Sequence, residues 1–389
     1  MRYYALFLSL LLFSCKDALD MAVTADPYTE IKKALSIDPA ALENYAAQGK
    51  PAYVNKDNTA ANPITDKVAT LGRVLFYDKN LSVNNGFSCA SCHKQEFAFG
   101  DTAVTSLGVD NGRTIRHSMR LINSRYANEA KFFWNERAAS LEAQTTMPIQ
   151  DHLELGFSGQ TGRGNMTSLI IKLGGIGYYK ELFKLAYGDA AITEARMQTA
   201  LAQFIRSIQS FDSKYDVGRA QVPNDGAPFP NFTAQENAGK NLFLAPPIFN
   251  GNSERIGGGF GCQGCHQAPE FDIDPNSRNN GFIGVIGSTQ IDLDNTRSPS
   301  LRDILNTSGV ANTPFMHTAV PMNIRQVLAH YNSIAAAPRN TNLDPRLKPN
   351  NLGQNLQMTP AEIDAMVAFL RTLTGKDVYT NKKWGNPFL

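Results

Sequence analysis

Cysteine is scarce, with five in 389 residues, and tryptophan scarcer, with two. So few cysteines exclude a small fold held by disulfides. Neither sign of charge dominates: Lys+Arg 37 against Asp+Glu 35 leaves +2. No basic stretch interleaved with aromatics stands out, so the footprint of a nucleic-acid binder is missing. No later segment reaches the ~18 consecutive apolar residues that a membrane-spanning helix needs. Gly 30 and Pro 20 are too few for a collagen-like or low-complexity chain. What is present is 42% hydrophobic residues at a length suited to two domains with ordinary cores.

Residues 1–15 read as an export signal. Arg2 is followed by a short apolar run ending Leu12-Phe13-Ser14-Cys15, which has the length of a signal core and not of a spanning helix. A small residue before Cys15 predicts cleavage there and lipid attachment to its thiol. The expected location is the bacterial cell envelope, facing the periplasm or exposed at the surface, with a lipid anchor.

The other four cysteines form two matching motifs, Cys89-Ala90-Ser91-Cys92-His93 and Cys262-Gln263-Gly264-Cys265-His266. Two thiols at this spacing can add to the two vinyl groups of one haem, and the adjoining histidine becomes an axial ligand of its iron. A four-thiol zinc site or two redox-active thiol pairs are the alternatives. Both would leave the two histidines as coincidences. The motifs therefore predict two covalently attached c-type haems, with His93 and His266 on the irons.

Around the motifs the apolar pattern is helical. Val68, Leu71 and Leu75 share one face of a segment at 66–76; Met197, Leu201, Phe204, Ile205 and Ile208 share one at 194–208. Thr233 and Glu236 have capping-box spacing. Thr359 as N-cap and Pro360 at the first helical position begin a third strong helix that Gly375 stops. Repetition of helix, motif and closing helix indicates an internal duplication. The chain divides into a tether and N-terminal wrap at 16–60, a first haem domain at 61–220, a second at 221–380 and a tail at 381–389. The proline-bearing stretch 216–232 is the expected linker, and 281–290 the one place for a short strand or hairpin.

In their order along the chain, these motifs, Phe133-Trp134-Asn135-Glu136-Arg137 through Gln144, Pro148 and Glu154, Asn312-Thr313-Pro314-Phe315-Met316-His317, and Ala368-Phe369-Leu370-Arg371 through Gly375 resemble bacterial dihaem cytochrome c peroxidases and their MauG-like relatives. The likeness spans about 65–378. It implies a mainly α fold of two cytochrome-c-like domains with haems facing the interface. It further implies a His93 haem that meets hydrogen peroxide and a His266 haem that relays electrons from a small cytochrome, cupredoxin or other donor, in a homodimer. Read alone, Trp134 is a core ring and Glu154 a surface carboxylate. By the resemblance, Trp134 lies between the haems, while Gln144, Pro148 and Glu154 line the open face of the peroxidatic one. Glu154 would then move protons and Gln144 orient the ligand.

Three departures set this chain apart. Eight residues before His117, where many members carry an iron-closing histidine, stands Val109, which implies an iron already open to peroxide. The family's calcium-binding asparagine falls on His117, a poor ligand for a hard cation, leaving calcium to the backbone carbonyls of Asn312 and Pro314. Seventeen residues after Pro314 stands Tyr331 where typical peroxidases have methionine, as MauG-like members do. The competing ligands for the His266 iron are His330, Met316 and Met322. His317 suits a propionate contact, His152 a pocket edge or surface, and Trp384 packing. The expected activity is peroxide reduction. The alternatives are MauG-like oxidation of a dedicated substrate or protein residue, and a non-enzymatic electron-transfer protein.

Overall fold

The computed structural model describes residues 26–128, 131–297, 299–312 and 314–389. The signal at 1–15 and the start of the tether lie outside these residues. Among the described residues the protein is mainly α, with two two-stranded antiparallel ladders. Two hydrophobic cores organise it, one drawn from Ile31 through Ile208 and one from Tyr215 through Leu373.

Each core is built on one helix crossing. In the first, Asp66–Tyr77 packs on Glu194–Ser207; in the second, Ala234–Leu244 packs on Pro360–Arg371. A threonine starts all four helices. The Thr65, Thr193, Thr233 and Thr359 side chains each accept a bond from a first-turn amide, a cap worth about 1 kcal/mol apiece.

The crossings are the same contact made twice. A Cβ on Gly72 would stand 2.0 Å from the Ala200 carbonyl oxygen, and one on Gly239 would stand 1.9 Å from that of Ala365. Only glycine lets the backbones approach so closely. One turn further on, Phe76 meets Phe204 at 5.2 Å and 57°, and Phe243 meets Phe369 at 5.3 Å and 57°. The duplication in the sequence is therefore a repeated packing unit.

The stretch 216–232 is part of the second core, not a free linker. Phe229 and Phe232 are buried there, and the turnover between cores falls between Ile208 and Tyr215. Residues 381–389 return to the first core: Trp384 is 2% exposed and its indole N–H donates to the Ser207 carbonyl at 3.0 Å. Arg73 fixes the same segment by donating to the Gly385 and Lys382 carbonyls at 2.7 and 2.6 Å. No extended strand forms at 281–290, but a single antiparallel bridge joins Gly284 to Ile291 and closes a hairpin-like turn, with Gly281 and Gly287 at φ of +93° and +70°. The ladders lie instead at Pro247–Phe249 with Arg255–Gly258 and at His266–Gln267 with Asp272–Ile273.

Candidate active site

The first Cys-x-x-Cys-His motif opens with a Ser88–Ser91 capping box that closes the single turn Cys89–Cys92. His93 follows as its C-cap, with its Nδ1 3.2 Å from the Phe99 carbonyl. That contact orients the ring and leaves Nε2 as the nitrogen for a metal. Burial pushes both thiols up to about 12. The four cysteines are free, and the two pairs line different cavities. Among the described residues no four-thiol metal site is assembled.

Gln144, Pro148 and Glu154 meet at this motif. Two adjoining cavities of about 60 and 140 Å³ are both lined by Cys92, His93 and these three residues. Gln144 and Pro148 lie four apart on helix Leu141–Gln150, hence on one face. Glu154 comes from the loop that follows, where the Leu153 and Glu154 amides donate to Asp151 Oδ1 at 2.8 and 3.1 Å. Burial, with the nearby Asp151 charge, raises the Glu154 carboxyl to about 7 against the pull of Arg137. A carboxyl that ionises near neutrality can both take and return a proton.

Val109 is enclosed, at 1% exposure, and its amide donates to the Glu154 carbonyl at 3.0 Å. Its aliphatic side chain has no atom to offer a metal. Its backbone instead fixes the loop that carries Glu154.

The second motif lines a larger cavity of about 610 Å³ together with Met316, His317 and Tyr331. His266 is half-buried, its buried Nδ1 has no protein partner, and desolvation depresses it to about 4, so it is a neutral base. Tyr331, on helix Ile324–Asn332, accepts a bond from Asn280 Nδ2 at 2.9 Å. The same nitrogen lies 3.2 Å from Met316 Sδ. His330 is turned aside: its Nε2 lies 2.8 Å from the Asn280 carbonyl and its ring packs on Phe282 at 4.1 Å. Met322 is 54% exposed and outside the lining. Of the four competing ligands, Tyr331 and Met316 reach the cavity.

Trp134, His117, Arg120 and Arg297 border both the large cavity and the 140 Å³ one. The Trp134 indole N–H donates to the His117 carbonyl at 2.7 Å, and its ring meets His317 edge-on at 6.1 Å. The Thr296 and Arg297 amides both donate to the Trp134 carbonyl, at 3.0 and 3.1 Å, so segments of both halves hold this residue. His317 Nε2 lies 2.9 Å from the Gly284 carbonyl. His152 is satisfied by Ser158 Oγ at 2.9 Å. Pro314 lines the large cavity, whereas the Asn312 amide is tied to the Asp303 carbonyl and Tyr379 hydroxyl at 2.7 and 2.8 Å. Asn280, Arg120 and Arg297 escaped the sequence reading because single polar residues in loops carry no periodic signal.

A family model described as di-haem cytochrome c peroxidase matches residues 66–221. The methylamine utilization protein MauG of Methylophilus methylotrophus is 27% identical over 325 residues, covering 81% of this chain and 84% of its own. The cytochrome c551 peroxidase of Nitrosomonas europaea is 26% identical, covering 81% and 82%. The fold is that of a MauG-like protein associated with microbial copper homeostasis, at 24% identity and TM-score 0.66, covering 87% of this chain and 98% of that one. It is likewise that of the diheme peroxidase BthA from Burkholderia thailandensis, at 21% identity and TM-score 0.60, covering 90% and 92%. Residues 66–221 thus match the di-haem cytochrome c peroxidase family, and the chain as a whole, with two haem-attachment motifs on cavities that share one tryptophan, is similar to MauG and cytochrome c peroxidase proteins over about four-fifths of its length.

Proposed function

We propose that the protein is an exported dihaem peroxidase that reduces hydrogen peroxide to water at the His93 site, with electrons entering from a small cytochrome, cupredoxin or other donor at the His266 site. Convergence of Gln144, Pro148 and Glu154 on the cavity beside His93 carries this reading. Cys89, Cys92 and His93 would hold one haem, and Cys262, Cys265 and His266 the other. When bound, the haems supply two irons that exchange electrons with peroxide and donor.

Glu154 takes one proton from the incoming peroxide and returns it to the departing oxygen; its pKa of about 7 makes either direction accessible. The Gln144 amide holds the peroxide by hydrogen bonds without changing charge. The Pro148 ring, with no N–H, keeps the third wall apolar. Two further protons and two electrons complete the conversion to two waters. Trp134, edge-on to His317 and bordering both sites, is the aromatic group placed for electron passage between them. The two haem domains at 61–220 and 221–380, the lipid anchor at Cys15, the envelope location and the homodimer belong to the same proposal.

A second reading, MauG-like oxidation of a dedicated substrate or protein residue, is favoured by Tyr331, whose hydroxyl faces the second cavity beside Asn280. A bound phenolate would favour oxidised iron. Purified protein supplied with peroxide and a reductant separates the readings. Sustained peroxide consumption by a chain carrying two haems is the result expected of a peroxidase. A long-lived oxidised state with no turnover would transfer the assignment to substrate oxidation, and failure of either haem to react with peroxide would leave an electron-transfer protein.

A further inference from the structure

The wall between the two cavities contains an imidazole with one nitrogen unused. His117 is 3% exposed and borders both cavities. Its Nδ1 lies 2.9 Å from the Ala103 carbonyl. A carbonyl only accepts, so Nδ1 carries the proton and Nε2 presents a lone pair. Nε2 is buried and has no partner in the protein. The backbone of the same residue is fully engaged, its amide donating to the His317 carbonyl at 2.9 Å and its carbonyl accepting the Trp134 indole N–H. The main chain at 117 thus joins the two halves, and the side chain leaves an unpaired nitrogen at their junction.

The family resemblance implies calcium here, and the donor set does not fit it. Calcium takes six to eight oxygen ligands, carboxylates prominent among them, whereas an imidazole nitrogen suits softer metals. The charged side chains that share both cavities with His117 are Arg120 and Arg297, both cationic. The smaller cavity adds Arg116, which is paired with Asp292, and Arg137, with the Glu154 and Asp272 carboxylates also along its wall. On the wall shared by both cavities, a buried nitrogen lone pair with two guanidinium groups and, among the described residues, no carboxylate is a poor site for a hard divalent ion.

We propose that the contact between the two haem sites is built without a cation and that the His117 imidazole stands in its place, Nε2 accepting a hydrogen bond from a water or carboxyl group at the edge of a haem. The proposal rests on the two-haem reading. An acceptor supplied by the chain replaces an ion that would otherwise have to be acquired, and the junction keeps its geometry through the backbone bonds of His117 and Trp134.

The test uses the holoprotein, with both haems verified by the pyridine haemochrome spectrum of the same sample, so that absence of haem would count against the functional reading separately. Metal analysis is expected to find no stoichiometric calcium, and chelation with EGTA to leave the oxidised absorption spectrum and thermal midpoint unchanged. His117→Asn, which restores an amide oxygen, is expected to gain a thermal midpoint that rises with added calcium and falls on chelation. Stoichiometric calcium in the unaltered two-haem protein, with a spectrum or midpoint that shifts on chelation, would overturn the proposal. So would a folded His117→Asn protein indifferent to calcium.

Discussion

The Tyr331 hydroxyl and the Met316 sulfur converge on one group, the Asn280 side-chain nitrogen, at 2.9 and 3.2 Å. Two chemically opposite candidate ligands for an iron therefore meet at one place. Burial among apolar neighbours drives the Tyr331 phenol well above its ordinary range, with the Asn280 bond working the other way. Only a strong positive centre nearby can make it ionise.

If Tyr331 ligates the second iron, Tyr331→Phe abolishes the charge-transfer absorption of that haem and Tyr331→Met raises its reduction potential by on the order of 100 mV or more. Spectroelectrochemistry reads both. An unaltered spectrum in Tyr331→Phe, with loss of a band in Met316→Leu, would assign the ligand to sulfur.

Glu154→Gln should retain both haems and slow peroxide activation by ~10²-fold. In the unaltered protein the rate should rise with pH through about 7, as the carboxyl becomes the proton acceptor, and flatten above it. The substituted protein should show no such inflection. Stability moves in the opposite sense. The folded carboxyl holds a proton that the unfolded chain has already released near neutral pH, so this residue costs stability as pH rises above its unfolded value. Glu154→Gln should accordingly melt higher than the unaltered protein at pH 8, and equal midpoints would argue against a buried carboxyl.

Trp134→Phe removes the indole N–H from the His117 carbonyl at the cavity junction. Leaving that buried carbonyl short of a donor costs about 1–3 kcal/mol of stability, measurable by denaturant unfolding. Electron exchange between the haems, followed by rapid mixing with a reductant, should slow while haem content is unchanged. Unchanged exchange would restrict Trp134 to packing.

Gly72→Ala and Gly239→Ala each place a methyl group against a helix carbonyl, at 2.0 and 1.9 Å before any relaxation. Overpacking of this kind costs about 1–3 kcal/mol or more. Because the two crossings are equivalent, the two losses should be similar, and a tolerated substitution at one site alone would contradict the shared geometry.

Much was legible in the sequence because it was local. Cys-x-x-Cys-His fixes three groups by covalent spacing. Thr359-Pro360 and Thr233 with Glu236 announce helix starts because the capping atoms lie within one turn of the amides they bind. Gln144 and Pro148 are one turn apart, so their shared direction follows from helical periodicity.

What the chain order could not supply was proximity between distant segments. Residues 216–232 have the composition of a linker, yet Phe229 buries against Tyr215 and Lys240, and Phe232 against Phe229. Trp384 belongs to the opposite end of the chain from the core it completes, and Asn280 reaches Tyr331 and Met316 across long intervals of sequence. Covalent neighbours and helix periods were determined by the sequence itself. The meeting of Glu154 with His93, of Trp134 with His117 and His317, and of Tyr331 with Asn280 was decided by tertiary structure, since burial and hydrogen-bond pairing depend on which segments pack together and not on the residues that adjoin them.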